Sequence, residues 1–373
     1  MRVFVVNSGS SSIKFQLVDA VTEQVVLSGL LERIGQPGGD AADHAAGMRL
    51  VLDRLGDETA SIAAVGHRVV HGGSEFTAPT LIDHHVEVAI EAISTLAPLH
   101  NPANLAGIRA ARLALPDVPH VAVFDTAFHQ SMPAAASTYA IDRAVAAQYG
   151  VRRYGFHGTS HQFVAARAAT LLGRPLASLK IIVLHLGNGS SAAAIDGGRS
   201  IDTSMGLTPL QGLVMGTRSG DIDPGALLHL LRVGMSVAEV DDLLNSGSGL
   251  LGLAGSADMR DIEATFEAGD ADAVLALDVW SHRIRHYVGA YLAQLGGLDA
   301  LVFTAGIGEN APDLRARALD GLGHFGLGLD AERNTAPSRL ARVISPDNAP
   351  VAVLVVPTNE ELAIAQATAA LVS

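Results

Sequence analysis

VFVVNSGSSSIKF, residues Val3 to Phe15, decides how this chain is read. Its outer parts are strand-like. Val3, Phe4, Val5 and Val6 are β-branched or aromatic, and Ile13, Phe15 and Leu17 alternate with other residues. The middle is a tight turn rich in hydroxyls and backbone N–H groups, with Lys14 just beyond it. A hairpin turn needs only Gly or Asn at its tip, so a run of small polar residues followed by Lys asks for a second explanation. The pattern returns at KIIVLHLGNGSSAAAID, residues 180–196: an apolar strand, a Gly/Asn/Ser turn and a second strand ending in Asp196, as the first copy ends in Asp19. Two such units, matched in chemistry as well as order, predict an internal duplication.

Working outward, further strand-like runs lie at residues 62–70 (IAAVGHRVV), 121–125 (VAVFD), 300–304 (ALVFT) and 351–356 (VAVLVV). Ala-rich helical stretches separate them at 86–96, 162–172 and 273–295, and a last one, 360–371, closes the chain. Alternating strands and helices mean α/β, and the hairpins make the sheets mixed. GQPGGDAADHAAG, residues 35–47, reads as a mobile loop. Pro98 to Pro102 and Met132-Pro133 are candidate joints, and the domain boundary is placed near residue 130.

Composition narrows the function. The net charge of −13 argues against non-specific binding to nucleic acid or an anionic membrane. It leaves room for a local basic pocket for a small anion. There is no cysteine, so disulfides, thiolate metal sites and a Cys nucleophile are excluded. The apolar run before Asn7 is too short for a signal-peptide core, and no stretch has the length of a membrane span. A soluble, cytoplasmic protein is expected.

Phosphate chemistry is the recurring theme. Neither a P-loop G-x-x-x-x-G-K-[ST] nor a dinucleotide G-x-G-x-x-G after the first strand is present. Two hydroxyl-rich hairpin turns remain, whose N–H groups can form anion-binding concavities. Each alone reads as an ordinary hairpin; both together, with Lys14, favour phosphate. Gly306-Ile307-Gly308-Glu309-Asn310 follows a strand and precedes a helix start at Pro312, as a nucleotide contact would, although Gly-rich βα turns are common. Arg68, at the end of an apolar strand, and Arg218, in the loop MGTRSGDIDP, suit either a surface salt bridge or planar recognition of phosphate or carboxylate. His157 and His161 are four apart, as zinc ligands on a helix can be. Gly155 and Gly158 oppose a helix through His157, which better fits a donor to an anionic centre. Asp125 ends a strand where α/β ligand sites lie, or caps the next turn. Glu360 and Glu361 start the last helix, either as favourable N-terminal charges or as Mg²⁺ ligands.

These segments together resemble the acetokinase family. The matching stretches are NSGSSSIKF, GHRVVHGG, LAPLHNP, VFDTAFH, RRYGFHGTSH, HLGNGSS, MGLTPLQGLVMGTRSGDIDP, SGLLGLAGSADMRDI, FTAGIGEN and PTNEEL, in order from residue 7 to 362. The resemblance implies two ribonuclease H-like domains of the actin, Hsp70 and sugar-kinase type around a nucleotide cleft. The first would span 1–130 plus 361–373, with the C-terminal helix crossing back to it, and the nucleotide-binding second 131–360. It implies phosphoryl transfer between ATP and acetate, giving ADP and acetyl phosphate, with Mg²⁺ (Mn²⁺ as an alternative) held by Asn7 and Glu360. Ser10, Ser12 and Lys14 would line the phosphate path. His185, Leu186, Gly187, Asn188 and Gly189 would face the nucleotide phosphates, and Gly306, Ile307, Gly308 and Asn310 the adenosine end. Arg68 and Arg218 would grip the acyl and phosphoryl groups, with Asp125 orienting Arg218 or the metal shell and His157 donating to the phosphoryl group. Val70, Leu99, Phe156 and Pro209 would form the methyl pocket. A homodimer is implied too. The region from Gly35 to Ala60 is shorter and richer in Gly and Ala than is usual in the family. Two other readings stay open. A propionate or other short-chain acyl kinase would share the mechanism. An actin- or Hsp70-like ATP-driven binding or filament protein would leave the paired Arg, His157 and the GTRSGDIDP loop unexplained.

Overall fold

The opening hairpin forms as the alternation requires. In the computed structural model, which describes all 373 residues, β1 (Arg2–Ser8) pairs antiparallel with β2 (Ile13–Asp19), from Arg2 opposite Asp19 to Ser8 opposite Ile13. β3 (Val25–Leu31) continues the meander beyond β2. On the other side of β1 lies β4 (Ala64–Val69), parallel to it, then β6 (His120–Phe124), parallel to β4, and the short antiparallel edge strand β5 (Thr80–Leu81). The sheet order is β3-β2-β1-β4-β6-β5.

The second sheet repeats the first. β7 (Lys180–Leu186), β8 (Ser190–Asp196) and β9 (Arg199–Thr203) form the meander. β10 (Ala300–Thr304) and β12 (Ala352–Val355) add in parallel, and β11 (Arg342–Val343) is the antiparallel edge. The order β11-β12-β10-β7-β8-β9 is the first order read backwards. The likeness extends to a local irregularity. The register shifts between the fifth and sixth residues of β2, at Leu17/Val18, and of β8, at Ala194/Ile195. The predicted duplication is therefore present in topology, pairing sense and the position of a bulge.

The chain divides into two compact units. Unit 1 comprises Met1–Gln130, Phe156–Ser160 and Asn359–Ser373; unit 2 comprises Ser131–Gly155 and His161–Thr358. In unit 1, Phe4, Val6, Phe15 and Val65 pack with Met48, Val51 and Leu55 of helix His44–Leu55 and with Ala110 and Ala111 of helix Asn101–Ala114. Side chains alternate along β4, so Gly66 faces the opposite way. There the C-terminal helix Glu360–Val372 lies so close that a Cβ on Gly66 would stand 2.6 Å from Thr368 Oγ1 and 2.7 Å from Ile364 Cγ2. In unit 2, Leu184, Leu301, Phe303 and Val353 pack with Trp280, Ile284 and Tyr291 of helix Ala271–Leu295. Every residue of β10 is buried, as a central parallel strand covered on both faces requires.

Three local expectations change. Residues 44–47 are not loop but the first turn of a helix capped by Asp43, whose Oδ1 accepts from Ala46 N at 2.7 Å. The preceding residues are tied down by Glu32 N donating to Asp40 Oδ2 at 2.7 Å and Gly35 N to Ala41 O at 2.9 Å, so Gly and Pro mark tight turns here rather than a mobile loop. Residues 305–310 are a short helix rather than a turn. The expected helix at 162 starts earlier, at Gly158, immediately after His157.

Candidate active site

The polar ends of β1 and β4 in unit 1 are held by two asparagines. Asn104 donates Nδ2 to Ser8 O at 2.7 Å and accepts Val70 N on Oδ1 at 3.0 Å. Asn101 bonds both backbone groups of His71, accepting N–H at 3.0 Å and donating to O at 2.9 Å. One helical turn thus locks the ends of β1 and β4 together. Within the hairpin turn, Gly9 N donates to Ser12 O at 2.8 Å, and His44 Nε2 lies 2.8 Å from Gly9 O. Asn7 is half-buried opposite Lys14, Ser12 is half-buried and Ser10 is exposed. Lys14 Nζ lies 2.5 Å from Glu361 Oε1, so in this structure its charge meets the first turn of the C-terminal helix.

Arg68 and Asp125 form a bidentate ion pair in unit 1. Arg68 donates Nε to Asp125 Oδ1 at 3.0 Å and Nη2 to Oδ2 at 2.7 Å, a bidentate fork. Its Nε also lies 3.7 Å from Glu360 Oε2. Burial pushes the Asp125 carboxyl up from its ordinary value against the pull of Arg68. Burial likewise works against the Arg68 charge, but Asp125 and Glu360 outweigh it and raise its pKa. Two short parallel N–H···O bonds are the geometry of guanidinium with carboxylate, so the pair stays charged. The partner of Asp125 is therefore Arg68, not Arg218. The backbone at Asp125 is fixed too, its N–H donating to Val69 O at 2.9 Å and its O accepting from Gly158 N at 2.8 Å.

His157 immediately precedes helix Gly158–Leu172. Its φ is +56, a left-handed conformation that costs a side-chain-bearing residue about 1–3 kcal/mol and persists where the surroundings dictate it. Phe156, beside it, is buried against His71, ring centroids 5.4 Å apart, and its O lies 3.0 Å from His129 Nε2. Val70 is buried, but Leu99 is 62% exposed and adds no enclosed apolar wall in this structure. His161 is buried in unit 2 with Nε2 2.7 Å from Ser191 Oγ, which gives it a partner other than zinc.

Unit 2 carries a cleft of about 670 Å³ whose wall includes Gly187, Asn188, Gly216, Gly306, Ile307 and Asn310. The second hairpin forms one side: Gly187 N donates to Gly189 O at 3.2 Å, Ser190 Oγ to Gly187 O at 2.9 Å, and Gly216 N to Asn188 O at 2.9 Å. Glycine at 216 leaves room for the Asn188 side chain, since a Cβ there would lie 1.8 Å from Asn188 Oδ1. His185 and Leu186 are buried at the end of β7. The opposite side is the short helix Ala305–Asn310, in which Gly308 is buried against Phe303. Glu309 Oε1 accepts from Ala305 N at 2.8 Å and Thr358 N at 3.1 Å, and steadies Ala305 at a φ of +65.

Arg218 is half-buried in the loop after the second hairpin. Its Nη1 donates to Pro209 O at 3.2 Å and lies 3.9 Å from Met215 Sδ; it forms no ion pair, and burial pulls its pKa down. Asp221 anchors the loop by accepting from Gly212 N at 3.1 Å and Tyr287 Oη at 2.8 Å. Asn101, Asn104, Glu309, Asp221 and Tyr287 are residues that sequence reading missed. The Asn of LAPLHNP and the Glu of GIGEN lay inside stretches already singled out, whereas Tyr287 sits in a helix with no local signal.

Two duplicated sheets of ribonuclease H-like order, with polar hairpin turns and a Gly-rich cleft, define the class of nucleotide-dependent phosphotransferases and ATPases built on that fold. Within that class, the chain belongs to the acetokinase family, whose profile matches residues 2–366. It is 60% identical over 385 residues to an acetate kinase of Leifsonia xyli subsp. xyli, covering 98% of this chain and 97% of that protein. Among solved structures it resembles Porphyromonas gingivalis acetate kinase, with a TM-score of 0.95, 41% identity and full coverage of both chains. It also resembles a propionate kinase of Francisella tularensis subsp. tularensis, with a TM-score of 0.93, 42% identity and 99% coverage of each. The chain is a kinase.

Proposed function

We propose that this kinase transfers the γ-phosphoryl group of ATP directly and in line to acetate, giving acetyl phosphate and ADP, and that the reaction runs in both directions. The observation that carries the reading is Arg218, a half-buried guanidinium in a Gly-rich loop with no carboxylate partner. Such a cation is poised for an anion supplied from outside.

Acetate resembles a Glu side chain, with a pKa near 4.3, so it is already an anion near neutral pH and needs no general base. The difficulty is to bring two anions together. The loose transition state spreads charge over the equatorial oxygens of the phosphoryl group, and fixed donors that need no reorganisation are the remedy. In this reading Arg68 and Arg218 neutralise the acyl and phosphoryl oxygens, and His157 donates to the phosphoryl group. Asp125 holds Arg68 in its bidentate pose and accepts no proton from the substrate. Ser10, Ser12 and Lys14 line the phosphate path, Lys14 by exchanging Glu361 for phosphate. His185 to Gly189 face the nucleotide phosphates; Gly306, Ile307, Gly308 and Asn310 face its adenosine end. Val70, Phe156, Leu99 and Pro209 border the methyl group.

The donor set suits Mg²⁺. Asn7 and Glu360 offer hard oxygens, Glu360 has only a 3.7 Å contact with Arg68, and no cluster of three His, Asp or Glu is assembled for a fully protein-bound metal. That fits an ion that keeps waters and substrate phosphates in its shell. Held by Asn7 and Glu360, Mg²⁺ would supply charge neutralisation of the phosphates. We also propose that residues 1–130 with 361–373, and 131–360, act as the two functional domains. From the family resemblance we take the enzyme to be a cytoplasmic homodimer. No helix is long and apolar enough to cross a membrane.

The test is Mg·ATP consumption with acetate, with propionate and without acid, trapping acyl phosphate with hydroxylamine. Acetate-dependent trapped product establishes the reaction. Preference for propionate, which the likeness to a propionate kinase makes a specific second reading, keeps the mechanism and changes the substrate. ATP hydrolysis indifferent to acid refutes the acyl site.

A further inference from the structure

A second cleft of unit 2, about 500 Å³, lies beside the first and shares Asn310 with it. Three arginines line it: Arg315, Arg339 and Arg342. None of the three forms an ion pair, in a chain whose acidic residues outnumber its basic ones by thirteen. Arg315 is 2% exposed and is committed to the fold. It donates Nε to Asn334 Oδ1 at 2.8 Å, Nη2 to Asn334 O at 2.6 Å, and Nη1 to Gly308 O and Glu309 O, each at 3.0 Å. Arg342 is half-buried; Nη1 reaches Ser338 O at 3.1 Å, and Nε is buried with no partner. Arg339 is exposed at the rim. The carboxylates at hand offset them only in part: Glu309, in the cleft wall, has Oε1 taken by the N–H groups of Ala305 and Thr358, and Asp313 forms no ion pair but favours the Arg315 charge against burial and Arg342.

Buried cations without counter-charges are expensive. Burial, and then the charge of Arg342, bring the Arg315 pKa down to about 10. Burial also lowers that of Arg342. A guanidinium N–H left unbonded beside a second guanidinium describes a place where an anion would relieve both costs, since planar donors match phosphate oxygens.

We propose that the cleft lined by Arg315, Arg339 and Arg342 is a binding site for a small phosphate-bearing anion, separate from the nucleotide cleft. The shared chemistry is the phosphate dianion, either free or as a monoester; the volume leaves room for the ester's carbon part. Arg342 and Arg339 supply the exchangeable donors, and Arg315 supplies field without moving.

The test uses the full chain and isothermal titration with inorganic phosphate in one arm and glycerol phosphate in the other, both with Mg·ADP saturating so that the nucleotide cleft is filled. Wild type should take up one equivalent of at least one of them, and Arg339→Gln/Arg342→Gln should weaken that uptake at least tenfold while leaving kcat in the trapping assay unchanged. The tighter arm identifies the form of the ligand. Absence of saturable uptake in wild type, or equal affinity in the double variant, overturns the site. Neither result bears on acetate phosphorylation, which the trapping assay decides alone.

Discussion

Arg68 and Arg218, the two arginines proposed for the active site, are not equivalent, and the difference is visible at single side chains. Arg218 has a carbonyl and a thioether for partners. Arg218→Ala should therefore lower kcat about 10³-fold or more, the scale of a lost transition-state arginine, with a melting temperature close to wild type. Near-normal turnover would refute its role. Asp125 is 1% exposed and bidentate to Arg68. Asp125→Ala leaves a charge in that site without its main partner, which costs about 3–5 kcal/mol. Its signature is a large drop in thermal stability together with lost activity; stability equal to that of Arg218→Ala would contradict the pairing. Val70 is buried beside the Asn104 contact. Val70→Ala should move the ratio of kcat/KM values toward propionate, within the ten- to 200-fold range that one methylene commands. An unchanged ratio removes Val70 from the methyl pocket.

At the scale of elements, both sheets use the same device: a meander for the polar turn, then parallel strands whose ends carry further candidate site residues. The C-terminal helix completes unit 1 by covering β4, and Gly66 is what lets it approach. Gly66→Val should force the helix off β4 at about 1–3 kcal/mol, the usual cost of overpacking. Denaturant unfolding measures the loss, and limited proteolysis should show earlier cleavage near the C-terminus. Unchanged cleavage would mean that the helix is seated by other contacts. Helix Asn101–Ala114 has a comparable role, since its first turn bonds both Ser8 and the Val70–His71 backbone.

For the whole molecule, a buried histidine pair predicts a loss of stability in acid. His67 Nε2 lies 2.9 Å from His120 Nδ1, and His120 Nε2 lies 3.0 Å from Leu115 O, so both rings are neutral and one lends its proton to the other. Burial first, then nearby positive charge including Arg112, holds His67 well below the ordinary histidine value; burial likewise lowers His120. Unfolding lets both take up protons below about pH 6.5. Stability is thus complete above that pH and falls as pH drops toward the folded-state values, by up to about 1.4 kcal/mol per pH unit for each histidine. Melting temperatures between pH 7.5 and 5 should decline below 6.5, and His120→Gln should flatten the decline. A flat profile in wild type would show that the pair does not govern acid stability.

Much of this was legible in the linear chain because it is local. Alternation specifies the hairpins, and two hairpins of like chemistry specify the duplication, which the matching bulges at Leu17/Val18 and Ala194/Ile195 carry to the level of register. Arg68, Arg218 and Gly306 to Asn310 announced themselves by unusual neighbours in sequence. Three-dimensional partners did not. That Asp125 serves Arg68, that Lys14 meets Glu361, and that Arg315, Arg339 and Arg342 converge without a carboxylate depend on contacts between segments up to hundreds of residues apart. By itself the sequence determined strand periodicity, turn chemistry and the kind of groups available for phosphate. Only the tertiary structure decided which charges are paired, which are buried and which are left over, because desolvation and ion pairing depend on distances that chain order does not encode.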